Sequence, residues 1–387
     1  MSGVSNRPRC GVCDRKCVKN GRSKTGKMRW RCLGCNASLS VKRVDKTALM
    51  EFGLFLQWVW GKQDARSLAA ARGWSLATFR RRLAWCWQVE VLPPKPTGQV
   101  HDYLQIDGTY FNSWCLLIAF DGTQVVSWQW CERENAPAYR QLLSNLPQPD
   151  LVILDGANAA ARAVKDLWPQ AKTQRCLFHL QATITKHLTR QPRLEAGREI
   201  KALSQGLSRV ESQDQARAWM QQYQAWETKW HDFLAQRTYA RDKTTNRPAW
   251  AKANQTWWYT HPRLRRVRGL FRHLIKTSQL FTYLEFCPPR PRTTSPLEGG
   301  INKAIKDLQR QHRGHSPQHA QRAVEWFLTT QTVSPYRPST SQILQAKTRA
   351  SKPAIPAHKH LKTPLYDTAF SPEDGNHTRK GWAGRTT

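Results

Sequence analysis

Two aspartates close apolar runs in this chain. Asp107 ends "YLQID" and Asp155 ends "LVILD", and a glycine follows each. A buried strand that delivers a carboxylate at its tip is one way to build an active site, and a plain strand-ending turn reads the same. If the two strands are neighbours, the carboxylates stand side by side and repel unless a cation lies between them. Two hard oxygen ligands suit Mg²⁺, with Mn²⁺ as its substitute. Phosphodiester chemistry uses two such ions, about 3.5–4 Å apart, to hold the attacking and leaving oxygens. Glu298 is the candidate third acid. "SPLE" (295–298) also reads as a capping box with Pro at the first helical position. Ile301, Ile305 and Leu308 continue an apolar stripe that Glu298 begins, so it is expected to lean toward the sheet. Gly299 and Gly300 cost helix propensity and suggest close approach of another backbone, DNA included. Lys303 and Lys306 add DNA-binding charge to that helix. Glu285, in "YLEFCPP", is the runner-up acid.

A second chemistry sits near the N-terminus. Cys10-x-x-Cys13 and Cys32-x-x-Cys35 form two knuckles with glycines at 11 and 34. That spacing predicts a four-thiolate ribbon holding structural Zn²⁺, with Cys17 as a spare or alternative ligand. The loop between the knuckles is basic and suited to phosphate. "DARSLAAARGWSLATFRRRLAWCW" (64–87) fits a helix-turn-helix: Gly73 for the turn, Ser75 as cap, and Arg80, Arg81 and Arg82 as DNA-binding donors on the second helix. An ordinary helical hairpin with a solvated basic face has the same pattern.

These residues need elements to position them. Strand patterns at 103–107, 114–120, 125–130, 151–155 and 172–178 alternate late with helical ones at 136–146 and 160–168, giving the order β-β-β-α-β-α-β-α. Asp121-Gly122 signals a hairpin. The α/β core is preceded by ribbon and helices and interrupted by a Trp-studded helical stretch. The expected domains are 1–44 ribbon, 45–92 helix-turn-helix, 100–189 first part of the core, 190–290 helical insertion, 291–332 final core helices, and 333–387 a basic, disordered tail. The chain has 387 residues, 61 Lys plus Arg against 27 Asp plus Glu, and a net charge of +34. A surface this basic seeks a polyanion, nucleic acid first. The longest apolar run, "CLLIAF", is far short of the roughly 20 residues that span a bilayer. No signal-peptide core precedes it, so no membrane partner and a cytoplasmic location are expected, and the ten cysteines read as ligands or buried thiols.

The order of elements, with Asp107, Asp155 and Glu298 at the ends of strand one, strand four and on a late helix, resembles the RNase H-like core of DDE transposases. "RCLFHL", with Cys176-x-x-His179, is similar to the Cys-His signature of the Mutator-like group of bacterial insertion-sequence transposases. The resemblance covers about residues 10–330. It implies an RNase H-like mixed sheet with a helical insertion. It also implies binding of double-stranded terminal inverted repeats, Mg²⁺-dependent cleavage and strand transfer into target DNA, and at least a homodimer near the nucleoid. Cys176 and His179 are auxiliary in this reading: two zinc donors without the other two, or a contact to DNA. The insertion's tryptophans read mainly as core, with Trp257 or Trp258 able to stack on a distorted DNA end. A structure-specific nuclease and a zinc-ribbon regulator with dispensable acids are the rival readings.

Overall fold

The computed structural model describes residues 7–350 except 25, 41–43, 62, 96, 112–113 and 242–246. In chain order the elements begin with β1 (Cys17–Arg22), β2 (Met28–Cys32) and β3 (Ser38–Leu39), then α1 (Val44–Trp60), α2 (Ala65–Ala70) and α3 (Leu76–Leu83). The core follows as β4 (Tyr103–Phe111), β5 (Trp114–Phe120), β6 (Val125–Cys131), α4 (Ala136–Leu143), β7 (Leu151–Leu154), α5 (Asn158–Leu167), β8 (Lys172–Arg175) and α6 (Leu177–Leu188). Next come α7 (Glu195–Gly206), α8 (Gln213–Lys229), α9 (His231–Ala235), β9 (Arg237–Tyr239), β10 (Trp257–Tyr259) and α10 (Pro262–Lys276). A π-helical segment, Leu297–Asn302, leads into α11 (Lys303–Gln311), α12 (Pro317–Thr329) and α13 (Thr340–Ala350).

The chain divides into two compact units. One draws on residues 1–54, 72–89 and 339 onward; the other comprises 55–71 and 90–338. The stretch expected as one helix-turn-helix module over 45–92 is thus shared between units: α2 falls in the second and α3 in the first. Both helices have the expected caps. Asp64 accepts from the Ser67 N–H and Ser75 from the Thr78 N–H, and Gly73 between them has φ +64°. Within the first unit α13 packs on the 3₁₀ turn Ala84–Gln88. Ile343 and Ala346 of α13 are buried. This corrects the expectation of a structureless tail from 333; residues 351–387 of that tail lie outside the described residues.

The second unit is built on a five-stranded mixed sheet, order β6-β5-β4-β7-β8. β4, β5 and β6 are antiparallel neighbours, whereas β7 and β8 run parallel to β4. The sequence order β-β-β-α-β-α-β-α is the observed one. Apolar side chains on one face of the sheet (Leu104, Ile106, Leu117, Val152, Leu154) bury against Tyr139 and Leu142 of α4 and Ala163 and Val164 of α5. On the other face Ile153 and Leu151 pack with Cys176. Burying one such side chain contributes about 1.5–3 kcal/mol, which is why "LVIL" reads as a continuous apolar run rather than an alternating one. At the hairpin, Asp121 accepts from the Thr123 and Gln124 N–H groups, and Gly122 has φ +96°.

Residues 190–290 are mostly helical, and their core is shared with Leu177, Leu180, Ile184 and Leu188 of α6. Trp219, Tyr223, Trp226 and Phe271 lie within it, buried with Leu264, Val267 and Leu274. The tryptophan load of this stretch is largely structural, as its helical spacing suggests. The small β9–β10 sheet within it has no counterpart in the sequence reading. No described helix is long and apolar enough to cross a membrane.

Candidate active site

Strand register decides the placement of the first two acids. β4 and β7 pair in parallel from Tyr103↔Leu151 to Ile106↔Leu154. Asp107 and Asp155 are the next residues on each, so they emerge side by side. Asp155 lies one residue past its strand, as expected. Asp107 does not end its own strand: β4 continues to Phe111, and Asp107 pairs across to Ile118 of β5. The turn reading of Asp107 is therefore excluded. Its carboxyl is buried, and burial, then the charges of Asp155 and Glu298, push its pKa well above the usual carboxylate range. Gly108 belongs to the same arrangement. A side chain there would collide with the carboxylate of Glu134, which also accepts from Tyr139. Asp155 does make a turn as well: its Oδ1 accepts from the Ala157 N–H at 2.8 Å. Gly156 has φ +101°, and the buried Arg175 guanidinium fills the space a side chain would take.

Glu298 is oriented by a different set of groups. The capping-box geometry is absent; no side chain caps the segment that carries Glu298. Instead Glu298 Oε1 accepts from the buried Thr294 hydroxyl and lies 3.5 Å from His179 Nδ1. Thr294 also touches Cys176 Sγ, from its hydroxyl at 3.3 Å and its N–H at 3.4 Å. Cys176 caps α6 in sequence position and His179 lies in its first turn. Burial would lower the His179 pKa, but contact with Cys176 and the charge of Glu298 raise it to about 9. Burial would raise the Cys176 thiol, but hydrogen bonds from His179 and Thr294 lower it.

The helix expected over 295–311 is widened at its start. Its π-helical turn brings Asn302 inward, where Nδ2 donates to Asp107 Oδ2 at 2.7 Å. Asn302 Oδ1 is buried with no hydrogen-bond partner. Ile301, Ile305 and Leu308 are buried, as the stripe predicts. Among the described residues, nothing outside the neighbouring turns of its own helix lies within 4 Å of a side chain built on Gly299 or Gly300. Lys303 and Lys306 are exposed on the same helix. Glu285 pairs with Lys172 at 2.7 Å, a surface contact that removes the runner-up from the site.

Among the described residues, two groups bring donor atoms within 4.8 Å of one another: Cys10, Cys13, Cys32 and Cys35, and Cys176, His179 and Glu298. The four thiols fit structural zinc. Cys13 Sγ lies 3.2 Å from Cys32 Sγ and Cys10 Sγ 3.4 Å from Cys35 Sγ. The Val12 and Gly34 N–H groups donate to Cys10 and Cys32, the charge-stabilising contacts that a thiolate needs. The left-handed turn positions are Asp14 and Asn36, not the two glycines. Cys17 is outside this group: it heads β1 and its thiol is pushed up to about 11, first by burial. Arg82 departs from the expectation for the arginine run. It is half-buried, stacks on Trp74 at 4.4 Å, pairs with Asp14 at 2.7 Å and with Glu51 at 3.1 Å. It is thus committed within the first unit and not offered to DNA, whereas Arg80 and Arg81 are exposed.

Thr294, Asn302, Glu134 and Arg175 join the site without having been expected from the sequence. Thr294 and Asn302 stand four residues either side of Glu298, but the widened turn between Glu298 and Asn302 is not marked in the sequence, and nothing there singles out Glu134. Residues 113–266 match the family model for "Transposase, Mutator family". The match includes Asp155, Cys176 and His179, and Asp107 and Glu298 lie outside it. None of the curated proteins matches the chain.

Proposed function

We propose that this chain, whose residues 113–266 match the Mutator family transposase model, is a transposase that binds the terminal inverted repeats of its element and cuts and joins DNA with Asp107, Asp155 and Glu298. The observation that carries this reading is the β4–β7 register, which sets two acids next to each other with Glu298 close enough to disfavour ionisation of Asp107. Three antiparallel strands followed by two parallel ones, with helices between, support an RNase H-like core.

The donor set fits Mg²⁺: carboxylate oxygens that repel one another and await a positive charge. Bound there, Mg²⁺ would supply activation of water and of a 3′-hydroxyl and stabilise the leaving oxygen. The chain's own residues hold the donors. Asn302 fixes Asp107, the Ala157 N–H fixes Asp155, and Thr294 and His179 hold Glu298. Against burial, contact with Cys176 and the charge of Glu298 raise the His179 pKa, so His179 would offer positive charge near the acids. The zinc ribbon, Arg80 and Arg81 would read the ends, and Lys303 and Lys306 would hold the phosphates near the cut. Bringing two ends together requires at least a dimer.

The test is a cleavage and strand-transfer assay on DNA carrying the element's ends, with Mg²⁺, comparing the wild type with Asp155→Asn. The variant keeps the shape and the Ala157 contact but loses the charge. Expected is loss of both steps with end-binding retained. Equal cutting by both proteins refutes the acid triad, and binding without cutting by either shifts the reading to a DNA-binding regulator.

A further inference from the structure

The outer face of the β9–β10 sheet is built unlike an ordinary solvent face. Its register sets Trp257 opposite Tyr239 and Tyr259 opposite Arg237. Side chains alternate across a strand, so these four share one face and Thr238 and Trp258 the other. Trp258 is buried, while Arg237 and Tyr239 are exposed and Trp257 and Tyr259 half-buried. Three rings thus line a face that should be polar, and each is layered with a guanidinium. Arg237 lies 4.1 Å from the Trp257 ring, Arg265 3.3 Å from Tyr259, and Arg241 5.4 Å from Tyr239. Between Arg237 and Lys276 the chain carries eleven Lys and Arg and one acid, Asp242.

Rings that present π-faces, interleaved with cations, fit one kind of polyanion: a strand whose bases are unstacked. Duplex DNA offers phosphates but keeps its bases covered. We propose that the outer face of β9–β10, with Arg237, Tyr239, Trp257, Tyr259, Arg241 and Arg265, is a platform for unpaired DNA bases. It rests on the reading of the chain as a DNA-cutting transposase, whose cut ends supply such a strand.

The test uses the full chain, without Mg²⁺, and three probes: a blunt duplex, the same duplex with an unpaired thymidine tail, and the same duplex with an abasic tail. The base-bearing tail is expected to bind about tenfold more tightly than the abasic one. Tyr239→Ala and Trp257→Leu each bring the two tails to parity and leave blunt-duplex affinity unchanged, which also reports an intact fold. Iododeoxyuridine in the tail is expected to crosslink within residues 237–259. Equal affinity for base-bearing and abasic tails would overturn the proposal, as would crosslinks confined to other segments. Because no cutting is read, loss of this platform and loss of the acid triad are separate outcomes.

Discussion

Asp107 is the residue whose surroundings oppose its own charge. Burial, Asp155 and Glu298 all favour its protonated form. A folded-state pKa above the unfolded value of 3.8 means that the metal-free fold holds this contribution in acid. It loses it as pH rises through the elevated value. Asp107→Asn is therefore expected to abolish cutting and yet raise the melting temperature of metal-free protein at neutral pH, with the gain vanishing in acid. Mg²⁺ should raise the wild type's melting temperature more than the variant's. A variant less stable than wild type under these conditions would mean that the carboxylates do not press on one another. The place of Asp155 was legible because the apolar run of β7 stops just before it, whereas β4 runs on past Asp107. The groups that aim these acids were not. Asn302 reaches Asp107 only because one helical turn is widened, and the Thr294 contact to Cys176 joins residues 118 apart in sequence.

At the scale of elements, the π-helical turn Leu297–Asn302 sets where α11 points its polar groups. Such turns recur at functional sites because they re-aim side chains by one residue's worth of rotation. Deleting Gly300 should restore ordinary winding and rotate Asn302 away from Asp107. Cutting should fall with little change in circular dichroism; retained cutting would make the widened turn incidental. In α3 the neighbouring arginines are expected to differ. Arg82→Ala leaves Asp14 and the buried Glu51 short of their shared partner and should cost about 3 kcal/mol in urea unfolding. Arg81→Ala should stay within about 0.5 kcal/mol and weaken DNA binding instead. Equal stability losses would refute the inward role of Arg82. The order of strands and helices in the core was readable from periodicity, and so was the αα spacing around Gly73. Direction around a helix was not readable for three consecutive arginines, because charge alone does not say which one meets an acid from a distant segment. The continuation of β4 past Asp107 was hidden by Gly108, which looks like a turn but serves to admit Glu134.

The whole molecule consists of two units with different supports. The first has few strands and its cysteine cluster, and binding of structural zinc contributes on the order of 10 kcal/mol to such modules. Chelation is therefore expected to release amide protection over residues 8–39 in hydrogen exchange while the sheet from β4 to β8 stays protected. End-binding should be lost with it. Simultaneous loss of protection in both would show that the units do not fold separately. What the sequence hid at this scale is the membership of α13, whose few buried side chains are set in a polar, Ser- and Lys-rich stretch. That membership also sets a schedule for synthesis. The chain leaves the first unit at Val89 and returns to it only at Ser339. A ribosome working at ~5–20 residues per second needs roughly 10–50 s to cross that gap. During this time the N-terminal segments wait without the helix that covers Ala84–Gln88, while the intervening sheet is free to fold. A nascent chain thus acquires its five-stranded sheet before its first unit is complete, and a product truncated before α13 would leave the ribosome with that unit still open.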